Sequence, residues 1–362
     1  MGANEFPISS QAIYSARPTI EIDGQPLERV ALGLSALTVT ESVDGLAALE
    51  LRLSNWVSTL QGDAEFAFDA GSALALGSAV RVLAGVAGEQ EVIFAGRVSC
   101  LEAGAGERLP PLLVVRAEDR LMAARLARRS HVYTDLSLGD LAQQIGQNLG
   151  LTVEARELPN VNATFAQVNE SDLAFLRRVL ARYDCSLRIV GESLRVASRV
   201  DRGEMIELAL YSQLRQVHIV ADLAHQATRV TVSGWDAMQG AAFNEEATGT
   251  QLGAGQGRSG AELLQQHFGE RSEHLAAFAC RDANEARALA QAAFDQRARR
   301  FLTIRGTVEG SNRLRAGSLV TLSGLGARFD NSYEVAEVKH RFDLAEGYQT
   351  EFIAHGAYLA AN

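Results

Sequence analysis

Lysine is almost missing from this sequence. Lys339 is the single lysine among 34 Lys and Arg residues, and the rest are arginine. Coding bias is the simpler cause, but the physical consequence stands: arginine is enriched at protein interfaces and lysine depleted. Acidic residues outnumber basic ones by 44 to 34, for a net charge of −10. That balance argues against a dedicated nucleic-acid binder, which presents a basic face. No apolar run reaches the roughly 18–20 residues that a membrane helix needs. The opening MGANEFPISSQAIYSARPTIEI lacks the basic-then-apolar architecture of a secretory signal, so folding in a cytoplasm is expected. Cys100, Cys185 and Cys280 are odd in number and far apart. They have no metal-ligand spacing and read as reduced, mostly buried thiols.

What is present is apolar surface for more than one core. The chain has 362 residues, 47% of them hydrophobic, so two to four packed units are expected. Residues 19–119 read as all-β: Leu37 and Val39 alternate with Thr38 and Thr40, Asp44-Gly45 makes a hairpin turn, and Leu49, Leu51 and Leu53 alternate again. Residues 120–129 suggest a short basic helix. A second helix starts at Ser137, with Leu138, Leu141, Ile145 and Leu149 on one face and Gly150 to end it. Residues 165–189 read as strand, helix and strand. Asn169 is the expected cap, and Phe175, Leu176, Val179, Leu180 and Tyr183 form the apolar face. Leu187, Ile189, Leu194 and Val196 then alternate around a hairpin at Gly191-Glu192-Ser193. Residues 205–236 are strands again. Residues 240–260, rich in glycine, suggest a flexible loop or a segment ordered by a partner. Helices follow over 261–268 and, capped by Asp282, over 283–300. Strands close the chain over 301–309, 318–323, 332–342 and 348–354.

One short echo runs through the chain. Gly77-Ser78-Ala79-Val80-Arg81-Val82 matches Gly317-Ser318-Leu319-Val320-Thr321-Leu322. Each leads through a glycine turn to a strand with an aromatic near its start, Phe94 or Tyr333. The two all-β regions are therefore expected to be related.

Three stretches carry a resemblance. Gln167-Val168-Asn169-Glu170-Ser171-Asp172 with Phe175, Leu176, Arg178 and Leu180 resembles a "Q-x-x-E-S-D-x-x-F-L-x-R-L-L" signature. Leu314-Arg315-Ala316-Gly317 and Tyr333 to His340 resemble a closing "L-x-P-G-x-x-V … Y-x-V-x-x-V-x-H" pattern, with Ala316 in place of the usual proline. Phe94-Ala95-Gly96-Arg97-Val98 resembles an "F-x-G-x-V" strand. In this order they are similar to the phage late control protein D family, the baseplate hub of contractile tails, and to the hub portion of VgrG spike proteins.

Motifs for chemistry are scarce. Residues 253–259 resemble a phosphate loop, but Arg258 stands where lysine is required and no apolar strand precedes. His267 and His274 are seven apart, not the four that a helical zinc pair needs. His131, His218, His225, His340 and His355 sit in or near strands with no ligand spacing. Glu118-Asp119 and Glu245-Glu246 are adjacent, so strand geometry would point each pair to opposite faces. No G-x-S-x-G elbow exists. Cys185 follows a helix C-terminus, the wrong end for an activated thiol. Arg125, Arg128 and Arg129 are open to two readings, a partner patch or a solvated face.

The expected fold is α+β and mainly β. Two tube-like β-barrel domains are expected, the first over 1–119 and the second over 201–236 and 301–362. A small α/β insert, LysM-like in its first half, spans 120–200. A glycine-rich loop with helices spans 237–300. No catalytic, cofactor-binding or metal residue is assigned, no cofactor is expected, and the chain is not expected to be an enzyme. The resemblance implies a homotrimeric hub in which three chains with two barrels each present a pseudo-sixfold face. It would join a hexameric inner tube to a trimeric spike and contact other baseplate proteins, without specific nucleic-acid binding or membrane insertion. The spike is expected on a separate polypeptide or beyond the end of this sequence. The particle is expected to assemble in a bacterial cytoplasm and become part of a phage tail or injection system. The alternative is a peptidoglycan-binding or wall-degrading tail component.

Overall fold

The computed structural model describes residues 17–360, apart from 59–63, 70–73, 86–88, 108, 200–203, 250–251 and 277–279. The chain is α+β and mainly β. Its first half holds β1 (Thr19–Ile22), the short helix α1 (Glu28–Gly33), β2 (Leu34–Ser42), β3 (Gly45–Ser54), β4 (Ala79–Ala84), β5 (Glu91–Gly106) and β6 (Leu109–Glu118). Leu37 and Val39 on β2 and Leu49, Leu51 and Leu53 on β3 are buried, while Thr40, Arg52 and Ser54 between them are exposed. A slip of one residue would turn that whole apolar set to solvent, so the pattern pins the register. In space the strands run β1-β4-β5-β6-β3-β2.

The middle of the chain is mixed. The expected basic helix at 120–129 is only a 3₁₀ turn, Arg120–Arg125, followed by β7 (Arg128–Ser137). The Asp119 carboxylate caps the turn by accepting from the Leu121 N–H at 2.8 Å. Next come α2 (Leu138–Asn148), β8 (Thr152–Arg156), β9 (Asn162–Ser171), α3 (Asp172–Arg182), β10 (Cys185–Val190) and β11 (Ser193–Ser198). β7 pairs antiparallel with β9, and β8 runs parallel to β11, which pairs with β10. Ser171, not Asn169, caps α3. Its extended backbone suits that position, and its hydroxyl accepts from the Ala174 N–H at 3.2 Å. Asn169 instead takes a left-handed turn, φ 47°, inside β9.

The second half holds β12 (Met205–Ala209), β13 (Leu214–Ala221), β14 (Arg229–Asp236), β15 (Ala241–Ala247), α4 (Gly260–Phe268), β16 (Ser272–His274), α5 (Ala283–Arg299), β17 (Leu302–Glu309), β18 (Leu319–Ser323), β19 (Asn331–Asp343) and β20 (Gly347–Gly356). Two expectations fail here. β14 was expected among the strands of the second barrel, but it pairs with β15 and β16 in a separate small sheet. Val230 and Val232 share a core with Leu289 and Phe294 of α5, which holds β14 there. The described residues of 240–260 do not form a free loop. They contain β15, Leu252 is buried, and the Asn331 side chain ties down the Gln256 backbone at 2.8 and 3.0 Å.

The other six strands of the second half run β12-β18-β19-β20-β17-β13. That is the order of the first half, position for position. Only the outermost strand differs in sense: β1 is antiparallel to β4, whereas β12 is parallel to β18. β2 pairs with β19, so both halves, with the two-residue strand Gln25–Pro26, lie in one thirteen-stranded sheet.

Candidate assembly interface

The two halves share fine detail as well as strand order. Before β4, the Gly77 N–H donates to Val98 O and the Val98 N–H to Ser78 O, both at 2.9 Å. Before β18, the Gly317 N–H donates to Val335 O at 2.7 Å and the Val335 N–H to Ser318 O at 2.9 Å. Both glycines are left-handed, φ 87° and 83°, a conformation that costs glycine little and other residues more. In both turns the serine hydroxyl accepts a backbone N–H three residues upstream at 3.3 Å, from Ala75 and from Arg315. One bulge follows at the same place in each half, between Val98 and Cys100 on β5 and between Val335 and Glu337 on β19. A second falls between Leu34 and Ala36 on β2 and between Leu214 and Gln216 on β13. Such bulges bend a strand and increase its twist.

The halves meet where β19 beyond its bulge pairs with β2, from Glu337↔Ser42 to Asp343↔Ala36. Phe342 and Tyr348 of the second half belong to the core of the first. His340 lies fully buried in this junction, with Nδ1 2.9 Å from the Tyr348 hydroxyl and 3.3 Å from Thr350 Oγ1. Burial pushes its pKa down to about 4, with Glu41 and Arg315 acting in opposite senses. The unfolded chain takes up a proton near 6.5 that the folded junction refuses. Stability conferred here above about pH 6.5 is therefore lost as the pH falls towards 4. His340→Phe removes the titration, so its melting temperature should fall less than the parent's between about pH 7 and about pH 4.5. Thermal melts at the two pH values check this, and an unchanged slope would refute it.

Away from the cores, the sheet has a charged face laced by cross-strand ion pairs. Arg116 reaches Glu50 at 3.2 Å and Glu102 at 3.1 Å, and Arg341 reaches Glu351 at 2.7 Å, while Arg52 reaches Glu50 along its own strand at 3.1 Å. A groove of about 710 Å³ crosses this face, lined among others by Thr40, His218, Arg305, Glu337 and Lys339. Exposed pairs of this kind add little stability, about 0–1 kcal/mol. Their effect is to balance the charge of the surface.

A buried ion cluster locks the middle unit to both halves. Arg299 on α5 pairs with Asp184 and lies 3.7 Å from Glu334 on β19. Arg199 lies 3.4 Å from Glu334 and 4.0 Å from Asp44 in the β2–β3 hairpin. Burial pushes the Asp184 and Glu334 carboxyls up, against the pull of the arginines. The same hairpin accepts the Leu187 N–H at Val43 O, 2.9 Å.

The sequence-level candidates fall to structural roles. Arg125 pairs with Glu118 and Arg129 with Asp172, while Arg128 donates to Asn169 O at 3.3 Å. Asp119 accepts from the Ala47 N–H and caps the 3₁₀ turn, its pKa pushed up to about 6 by burial. Glu245 pairs with Arg287 and Glu246 with Arg229. His274 bonds Thr231 at 3.0 Å and Ser233 at 3.3 Å. Within 253–259, Ser259 caps α4 in a full capping box with Glu262. The Cys185 thiol is pushed up to about 12 by burial. Sequence reasoning missed Arg299, Arg199, Asp184 and Glu334. They lie far apart in the chain, and only the fold brings them together.

A doubled six-strand sheet carrying an α/β unit is a fold found among tail proteins. The chain is similar to a 43 kDa tail protein of prophage MuSo2 from Shewanella oneidensis, with TM-score 0.67, 12% identity, and coverage of 93% of this chain and 97% of the other. A tail protein from Neisseria meningitidis has TM-score 0.64, 10% identity, and coverage of 95% and 97%. A component of the E. coli type VI secretion system, with structural similarity to T4 bacteriophage tail proteins, has TM-score 0.57, 14% identity, and coverage of 94% and 79%. No curated protein matches. The chain belongs to the family described as the Alg8 N-terminal domain, whose model matches residues 13–343.

Proposed function

We propose that this protein is a structural baseplate hub of the late control protein D type, in a phage tail or injection machine. In this reading three chains form a ring, and each contributes two tube-like barrels to a pseudo-sixfold face. A hexameric inner tube rests on that face, and a trimeric spike continues the threefold axis. The observation that carries the reading is the repeated strand order of the two halves, with its matching glycine turns and bulges. A doubled unit lets a threefold object offer six equivalent contacts. The fold's likeness to tail proteins of a prophage and of Neisseria meningitidis supports it, and a binding role needs no catalytic residues.

The expected result is a trimer of 38.9 kDa chains by light scattering or native mass spectrometry. End-on images should show six lobes. A protein that stays monomeric, or closes with another copy number, would overturn the hub assignment.

A further inference from the structure

The buried ion cluster opens on one side into a cavity of about 240 Å³. The β2–β3 hairpin, α3, the start of β10, α5 and β20 all contribute to its lining. Arg177, Arg199, Arg299 and Arg300 face only Asp44 and Asp184 there, in a chain whose net charge is −10. Two of these arginines are only partly engaged. Asp184 bonds one arm of Arg299, and Glu334 lies 3.7 Å from Arg299 Nε and 3.4 Å from Arg199 Nε. Arg299, 4% exposed, still has a buried Nη1 with no hydrogen-bond partner among the described residues, and so has Arg199. The Asp44 carboxylate stands 4.0 Å from Arg199 Nη1, beyond hydrogen-bond reach. Buried donors are nearly always paired, and one left over costs free energy until an acceptor reaches it.

We infer that this cavity binds a small tetrahedral oxyanion of the phosphate type, held by the Arg299 and Arg199 Nη1 groups from inside and by Arg177 and Arg300 at the mouth. Guanidinium N–H groups match phosphate oxygens in both charge and geometry. Cavities for drug-sized ligands span about 300–1,000 Å³, so this smaller one suits a hydrated ion rather than a nucleotide. Arg177 and Arg300 are exposed, which gives the ion a way in without unfolding. Arg177 also donates to the Asp44 carbonyl, which holds it beside the hairpin. His355 lines the same cavity and reports on its charge. Burial pushes its pKa down to about 4, and Arg199, Arg300 and Arg299 push it the same way. An anion seated among those arginines opposes them. The bound ion is a structural tie. It joins α3 and Arg199 of the middle unit to the end of α5 in the second half, by charge rather than by apolar packing.

Inorganic phosphate is the probe, added to the full chain and compared with chloride at equal ionic strength. The melting temperature should rise saturably with phosphate and not with chloride. The His355 ring resonance should move along the same binding curve in NMR spectra. Arg177→Gln combined with Arg300→Gln should weaken phosphate binding roughly tenfold or more, since each removes a charged hydrogen bond. Arg215→Gln on β13, an exposed arginine remote from the cavity in the lining, should leave binding unchanged. If the double variant melts in chloride alone, the His355 resonance of the parent decides. Equal stabilisation by chloride would mean screening and no site. Phosphate binding that leaves His355 unmoved, or that the folded double variant retains in full, would put the ion elsewhere and overturn the inference.

Discussion

Arg299→Met is expected to lower the unfolding free energy by about 3–5 kcal/mol, the usual cost of removing one partner from a buried ion pair. Arg299 is only 4% exposed, and Asp184 and Glu334 face it from the α3–β10 turn and from β19. Methionine fills similar space but leaves Asp184 buried without its cation. The loss should shrink in the double variant Arg299→Met with Asp184→Asn, because the stranded charge is removed as well. Asparagine also tolerates the left-handed backbone at that position, φ 56°. Denaturant titrations of the parent, the single variant and the double variant check this. A single-variant loss below about 1 kcal/mol would mean that the cluster behaves like an exposed pair.

Phe342→Ala should cost about 3–5 kcal/mol as well, in the range for emptying a large aromatic from a core. The place where the loss appears is the sharper test. Phe342 belongs to the second half by sequence but packs in the first core, opposite Leu37. Hydrogen exchange should therefore speed up in β2 and β3, some three hundred residues upstream. Phe342→Leu, which keeps most of the volume, should cost less than about 1.5 kcal/mol. Faster exchange confined to β19 and β20 would show that the halves are not joined through this side chain.

Much of the sheet was legible because its strands alternate cleanly. Leu37, Val39, Leu49, Leu51 and Leu53 announce an inner face, and the second half repeats the pattern. The duplication showed in sequence only at the Gly-Ser turns, since a left-handed glycine is a chemical requirement, while neighbouring strands need only a suitable pattern of burial. β7 was missed because Arg128, Arg129, Ser130, His131 and Val132 are all exposed, and Tyr133 alone among its first eight residues is buried. Its pairing with β9 is a long-range event that no local period reports. The segment 240–260 misled for the opposite reason. Its glycines, which read as slack, are left-handed at Gly249, Gly253, Gly255 and Gly257 and pack against Phe294, Arg299, Asn331 and Leu359. Of the candidate interface, the sequence offered the repeat but not the joint of β19 with β2, because strand order is a property of the assembled sheet.

The reach of β19 across to β2 has a consequence for biosynthesis. The first core needs Phe342 and Tyr348 to complete it, yet a ribosome delivers them only after the middle unit and both helices of the second half. The nascent chain must hold an incomplete hydrophobic surface until β19 and β20 emerge. Chaperone dependence, and aggregation of prematurely terminated chains, are the costs of building one continuous wall from two copies of the same part.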